Sequence, residues 1–108
     1  PHGLYNLAYS YAYGEGVEQD LKIAFELYQK AAEFGHSDGL NCMGNCYKTG
    51  KVVEDKYLKD SNKSFKIKQD LIKAKDCYEK ASLLGNARAF YNLGICFENG
   101  IGVEKDNK

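Results

Sequence analysis

The stretch YNLAYSYAYGEGVEQD at residues 5–20 returns as YNLGICFENGIGVEKD at 91–106, with half of the positions identical and most others exchanged within a chemical type. Self-similarity at a fixed period constrains a fold more than composition does. Each unit must then be one supersecondary element that buries its apolar face by stacking on its like. A looser copy lies between the two: GLYNLAYSYAYGEGVE at 3–18 corresponds to GLNCMGNCYKTGKVVE at 39–54, 36 residues later. A second unit alternates with the first, DLKIAFELYQKAAEFG at 20–35 recurring as DLIKAKDCYEKASLLG at 70–85, an offset of 50. The extra 14 residues fall within 55–69, in the segment DKYLKDSNKSFKIKQ.

Both units read as helices. In the first, Leu4, Leu7, Ala8 and Tyr11 follow the i, i+3, i+4, i+7 spacing of one apolar stripe. Leu40, Met43, Gly44 and Tyr47 repeat it, as do Phe90, Leu93, Gly94 and Phe97. The Ala/Gly position in each stripe predicts close helix approach. In the second unit, Ala24, Leu27, Tyr28 and Ala31 form the stripe, matched by Ala74, Cys77, Tyr78 and Ala81. Asp20 and Asp70 stand where helices start, and Gly35 and Gly85 where they end in a left-handed residue. So short a link to the next helix makes neighbouring helices antiparallel. The prediction is an all-α chain, an α/α solenoid of about two and a half antiparallel hairpins. Its repeats run over 1–36, 37–86 (with the insertion within 55–69) and 87–108.

These residues resemble the Sel-one-like repeat family, a relative of the tetratricopeptide repeats. The resemblance rests on Leu93-Gly94, Phe97, Gly100-Ile101-Gly102-Val103 and Asp106, on Lys73-Ala74, Tyr78 and Lys80-Ala81, and on Leu7-Ala8, Tyr11, Gly14-Glu15-Gly16-Val17 and Asp20. The middle turn departs from the pattern: Gly50-Lys51-Val52-Val53 lacks the second glycine. The resemblance implies stacked hairpins and a role in protein assembly, signalling or degradation complexes. Its cysteine-rich subgroup staples each repeat with a disulfide, but the staple positions here hold Ala32 and Leu40, then Ser82 and Phe90. An enzyme of that subgroup is therefore disfavoured.

Charge narrows the function classes. Fifteen basic and fifteen acidic residues leave no formal net charge, which argues against a nucleic-acid binder. No run approaches the roughly 18 apolar residues of a membrane span, so no direct membrane insertion is expected. The chain starts at Pro1 and stops two residues after Asp106, where another helix is due. The expectation is a segment of a longer array, or an end capped by a partner chain.

Candidate chemistry is sparse. The Gly14–Gly16 and Gly100–Gly102 turns follow helices and lack the lysine and hydroxyl ending of a phosphate loop. Cys46 and Cys96 occupy equivalent repeat positions, expected about 10 Å apart and beyond disulfide reach. Cys42 and Cys46 lie one turn apart, but no second ligand pair accompanies them, and His2 and His36 read as isolated. Free thiols, no metal and no cofactor are expected, which fits the cytoplasm or another reducing compartment. No serine or cysteine has a histidine that periodicity places beside it, so no catalytic residue is assigned.

Binding remains. Opposite the stripes of the first-unit helices lie Asn6, Tyr9 and Tyr13, then Asp38, Cys42, Asn45 and Thr49, then Arg88, Asn92, Ile95 and Asn99. If these helices line the inner curve, as in the tetratricopeptide relatives, Asn6, Tyr9, Tyr13, Asn45, Thr49, Arg88, Asn92 and Asn99 form one concave strip. Asparagine amides can hold an extended peptide backbone, and tyrosines add rigid apolar area with a polar tip. The competing reading makes them ordinary outward positions. The insertion reads foremost as a solvated loop, with Lys56, Tyr57, Lys59, Lys63, Phe65 and Lys66 as its docking candidates and Ser61 and Ser64 as modifiable hydroxyls. The expected function is a non-catalytic adaptor or scaffold for a protein or peptide partner. A permanent structural subunit of a large assembly is the alternative.

Overall fold

The computed structural model describes residues 1–100. Among these described residues five α-helices run in order: α1 (His2–Tyr13), α2 (Leu21–Glu33), α3 (Ser37–Thr49), α4 (Leu71–Leu83) and α5 (Ala87–Asn99). Each helix packs chiefly on the next in sequence, α1 on α2, α2 on α3, α3 on α4 and α4 on α5. That nearest-neighbour order is an all-α solenoid, measuring 50 × 28 × 17 Å.

Local chemistry sets the helix ends. Asp20 and Asp70 accept from the backbone N–H of Ile23 and Lys73, so each satisfies an otherwise orphaned first-turn donor. Gly14, Gly50 and Gly100 close α1, α3 and α5 in the left-handed region, as Gly35 and Gly85 do after α2 and α4. The first turn is tied by the Asp20 N–H donating to the Tyr11 carbonyl, and the second by the Asp70 N–H donating to the Tyr47 carbonyl. Both turns close alike although one carries the insertion. The third turn's Ile101, Gly102, Val103 and Asp106 lie outside the described residues.

Alanine and tyrosine dominate the interior. Ala8, Ala12, Leu21, Ala24, Tyr28, Met43 and Val53 form the largest buried cluster. Ala74, Tyr78 and Cys96 form another, and Leu40, Ala81 and Ala89 a third. Small residues let the helix backbones approach, and tyrosine rings fill the remaining space. Two stripes differ from expectation. In α1 the buried residues are Ala8 and Ala12, while Leu7 is 44% exposed. In α5 Ala89 and Cys96 are buried, while Phe90 and Phe97 are 71% and 56% exposed. Both helices have a described neighbour on one side only, so the apolar stripe narrows to the side that is covered.

The insertion is not a plain solvated loop. It contains two 3-10 turns, Asp55–Tyr57 and Ser61–Lys63. Its neck is pinched where the Ile67 N–H donates to the Gly50 carbonyl and Lys51 bridges Lys66. Its body folds back onto the first hairpin: Leu58 and Phe65 pack against the largest core cluster, Phe65 facing Phe25 at 6.2 Å. Lys63 pairs with Glu18 at 2.7 Å.

Candidate functional site

Helices α1, α3 and α5 contribute one face each to a groove of about 590 Å³. From α1 come Tyr5, Tyr9 and Tyr13, one turn apart; from α3 come Asn41, Cys42 and Asn45; from α5 come Ala87, Arg88, Tyr91 and Asn92. Tyr28 of α2 lies beneath.

The polar groups are oriented by the helices behind them. Gly44 has no side chain to meet the Tyr78 ring, which therefore crosses α3 and donates its hydroxyl proton to the Asn45 carboxamide oxygen. The Asn45 amide donors are thereby left for the groove. Asn92 donates to the Asn41 carboxamide oxygen at 3.0 Å, which leaves the Asn92 oxygen as an acceptor. Tyr28 is only 3% exposed as a residue, but no buried side-chain oxygen or nitrogen lacks a partner among the described residues, so its unbonded hydroxyl is in contact with solvent in the groove. Arg88 is exposed and makes no ion pair among them. Tyr9 and Tyr13 lie 4.6 Å apart, centroid to centroid. The floor thus offers directed donors and one acceptor between aromatic walls.

Of the strip read from the sequence, Tyr9, Tyr13, Asn45, Arg88 and Asn92 meet in this groove, with Cys42. Asn6 and Asn99 are exposed but outside it. Thr49 lines a neighbouring depression and spends its hydroxyl on the Asn45 carbonyl. Asp38 accepts from Asn86 at 2.7 Å, and Ile95 is half-buried away from the lining. Of the insertion candidates, Tyr57 stands edge-on to Tyr13 at 5.2 Å, and Lys56 and Lys59 line a depression beside it. Lys63 and Phe65 instead anchor the insertion, and Lys66 is exposed beside the neck. Sequence reasoning missed Tyr5, Asn41 and Tyr91, although each sits three or four residues from a strip position on the same helix. It also took Tyr28 as core alone.

The histidines are not isolated. His2 Nδ1 and His36 Nε2 lie 3.1 Å apart, and the Gly39 N–H donates to His36 Nδ1 at 3.1 Å. With Nδ1 accepting, the proton of a neutral His36 sits on Nε2 and is given to His2. The Tyr5 ring stacks on His36 at 4.9 Å, tying this pair to the groove wall.

No thiol is poised for chemistry. All four cysteines are free, and burial pushes Cys42 up to about 11 and Cys46 up to about 12. Among the described residues no group of three or more His, Cys, Asp or Glu side chains is placed to hold a metal ion. No described helix is long and apolar enough to cross a membrane.

Stacked antiparallel hairpins whose first helices frame one groove define the class, an α/α solenoid of helical repeats. Within that class the chain belongs to the Sel1 repeat family, whose profile matches residues 1–36, 38–86 and 87–108. Two solved structures superpose closely. One is a Sel1 repeat protein from Oxalobacter formigenes, with 28% identity and a TM-score of 0.79 over 98% of this chain and 38% of that one. The other is a protective antigen present in uropathogenic Escherichia coli strains and displaying an SLR fold, with 28% identity and a TM-score of 0.79 over 97% of this chain and 20% of that one. No curated protein matches the sequence. Sel1 repeats generally mediate protein–protein interaction.

Proposed function

We propose that this chain is a non-catalytic adaptor or scaffold segment that holds an extended stretch of a partner protein in the groove between α1, α3 and α5. One observation carries the reading: hydrogen bonds behind the groove, from Tyr78 to the Asn45 oxygen and from Asn92 to the Asn41 oxygen, leave the Asn45 donors and the Asn92 acceptor free on its lining. The Asn45 donors and the Asn92 acceptor have the chemistry of a peptide bond's complement, and the tyrosines supply rigid contact area at small entropic cost. Thiols held in their protonated form give the groove no nucleophile.

Affinity purification from the full-length parent, compared between wild type and a Tyr9→Ala/Asn45→Ala/Asn92→Ala variant of equal helicity, tests the reading. A partner lost only from the variant supports it. An unchanged set of partners removes the groove as the contact.

A further inference from the structure

We propose that the insertion is the second wall of the groove, and that together they select an acidic segment of extended polypeptide; this rests on the groove being a peptide site. Three depressions meet at Tyr13. The main groove shares Tyr13 and Asn45 with a depression of about 770 Å³ bounded by Lys48, Glu54 and Tyr57. It shares Tyr9 and Tyr13 with a third, of about 380 Å³, beside Lys56 and Lys59. A continuous trough therefore leads from Arg88 on α5, past Tyr13, to Tyr57 on the insertion.

The added wall is built in advance of any ligand. Gln19, 3% exposed, donates to the Ala12 carbonyl at 2.8 Å and to the Tyr57 carbonyl at 3.0 Å, and accepts from the Lys59 N–H at 2.8 Å. Its repeat counterpart Gln69 makes the matching bond to the Lys48 carbonyl. The donor to Ala12 therefore belongs to the repeat, and the other two bonds are what the insertion adds. They fix the backbone on both sides of Leu58 and hold the Tyr57 ring against Tyr13 at 80°. A wall already ordered spares the ligand the entropic cost of ordering it.

Charge identifies the occupant. The chain is neutral overall, yet the trough is not. Lys51 and Lys56 are paired with Asp55 and Glu54. Arg88, Lys48 and Lys59 form no ion pair among the described residues, and Glu15 is the one lining acid left equally free. Unpaired cations spaced among tyrosines complement carboxylates flanking apolar or aromatic side chains.

The test is selection of a random-peptide display library on the full chain, followed by fluorescence anisotropy of the selected peptides. The expected peptides are rich in Asp and Glu around an aromatic or aliphatic residue, and bind more weakly as salt is raised. Tyr57→Ala and Lys48→Glu are each expected to weaken binding about tenfold, and Tyr57→Phe to restore most of it. Tyr57 is exposed, so its loss leaves the fold intact. Neutral or basic selected peptides, or Tyr57→Ala binding within about twofold of wild type, overturn the proposal. If binding survives Tyr57→Ala but not Asn92→Ala, the insertion fails and the groove reading stands. If it survives both, or no peptide binds, the groove reading fails as well.

Discussion

A Cβ built on Gly44 would stand 2.5 Å from the Tyr78 ring, whereas one built on Gly94 meets no described atom within 4 Å. The two glycines hold the same repeat position, so their substitution by alanine separates packing from helix propensity. Gly44→Ala is expected to destabilise by about 1–3 kcal/mol, because the ring must leave its rotamer and release Asn45. Gly94→Ala is expected to be neutral or to stabilise by up to about 1 kcal/mol, alanine being the better helix former. Urea unfolding of the two variants checks both. The sequence marks this position as small, with Ala8, Gly44 and Gly94 in register. Which copy is crowded depends on a ring arriving from another helix, and no local pattern carries that. The thiols make a second residue-scale prediction. Burial raises the pKa of every cysteine, so alkylation near neutral pH is expected to be slow in the native chain and complete in denaturant, read by mass spectrometry.

At the scale of the element, two helices are capped by equivalent residues of different chemistry. Asn86 accepts from the Ala89 N–H at the start of α5, and His36 accepts from the Gly39 N–H at the start of α3. The histidine cap works only while Nδ1 is unprotonated. Burial lowers the His36 pKa, with the Asp38 charge opposing and His2 adding to the lowering. A depressed pKa means the native state takes up fewer protons than the unfolded one. The stabilisation is therefore whole above the unfolded value of about 6.5 and is lost as pH falls through the lower native value. His36→Asn, which installs the cap used at α5, is expected to flatten the fall in Tm below about pH 6.5, measured by circular dichroism melts. Helix existence, order and the Asp20 and Asp70 caps were legible in the periodicity, because helices and caps are local. The histidine cap was not, since a ring nitrogen in that role is uncommon and its partner His2 comes from another helix.

Over the whole molecule, the repeat period locates the insertion but is silent on its shape. The reason is sequence distance: the bonds that order it reach Gln19, 38 and 40 residues upstream. The groove was half legible for a related reason. Positions facing outward from α1, α3 and α5 follow from helical spacing, but Tyr28 enters from beneath, and only stacking brings it there. Gln19→Ala is expected to cost about 1–3 kcal/mol, since it strands the Ala12 and Tyr57 carbonyls and the Lys59 N–H. Hydrogen exchange at Lys59 should quicken while the amides of α4 and α5 keep their protection. Stacked repeats ordinarily bend a little at every junction, each unit touching only its neighbours. Here a lobe of the second repeat is fastened to the turn of the first, so that junction cannot open without tearing two hydrogen bonds and an ion pair. The next junction carries no such lobe among the described residues, only the Asn86 and Asn92 side chains reaching back to α3, and the molecule behaves as a spring with its first coil soldered shut.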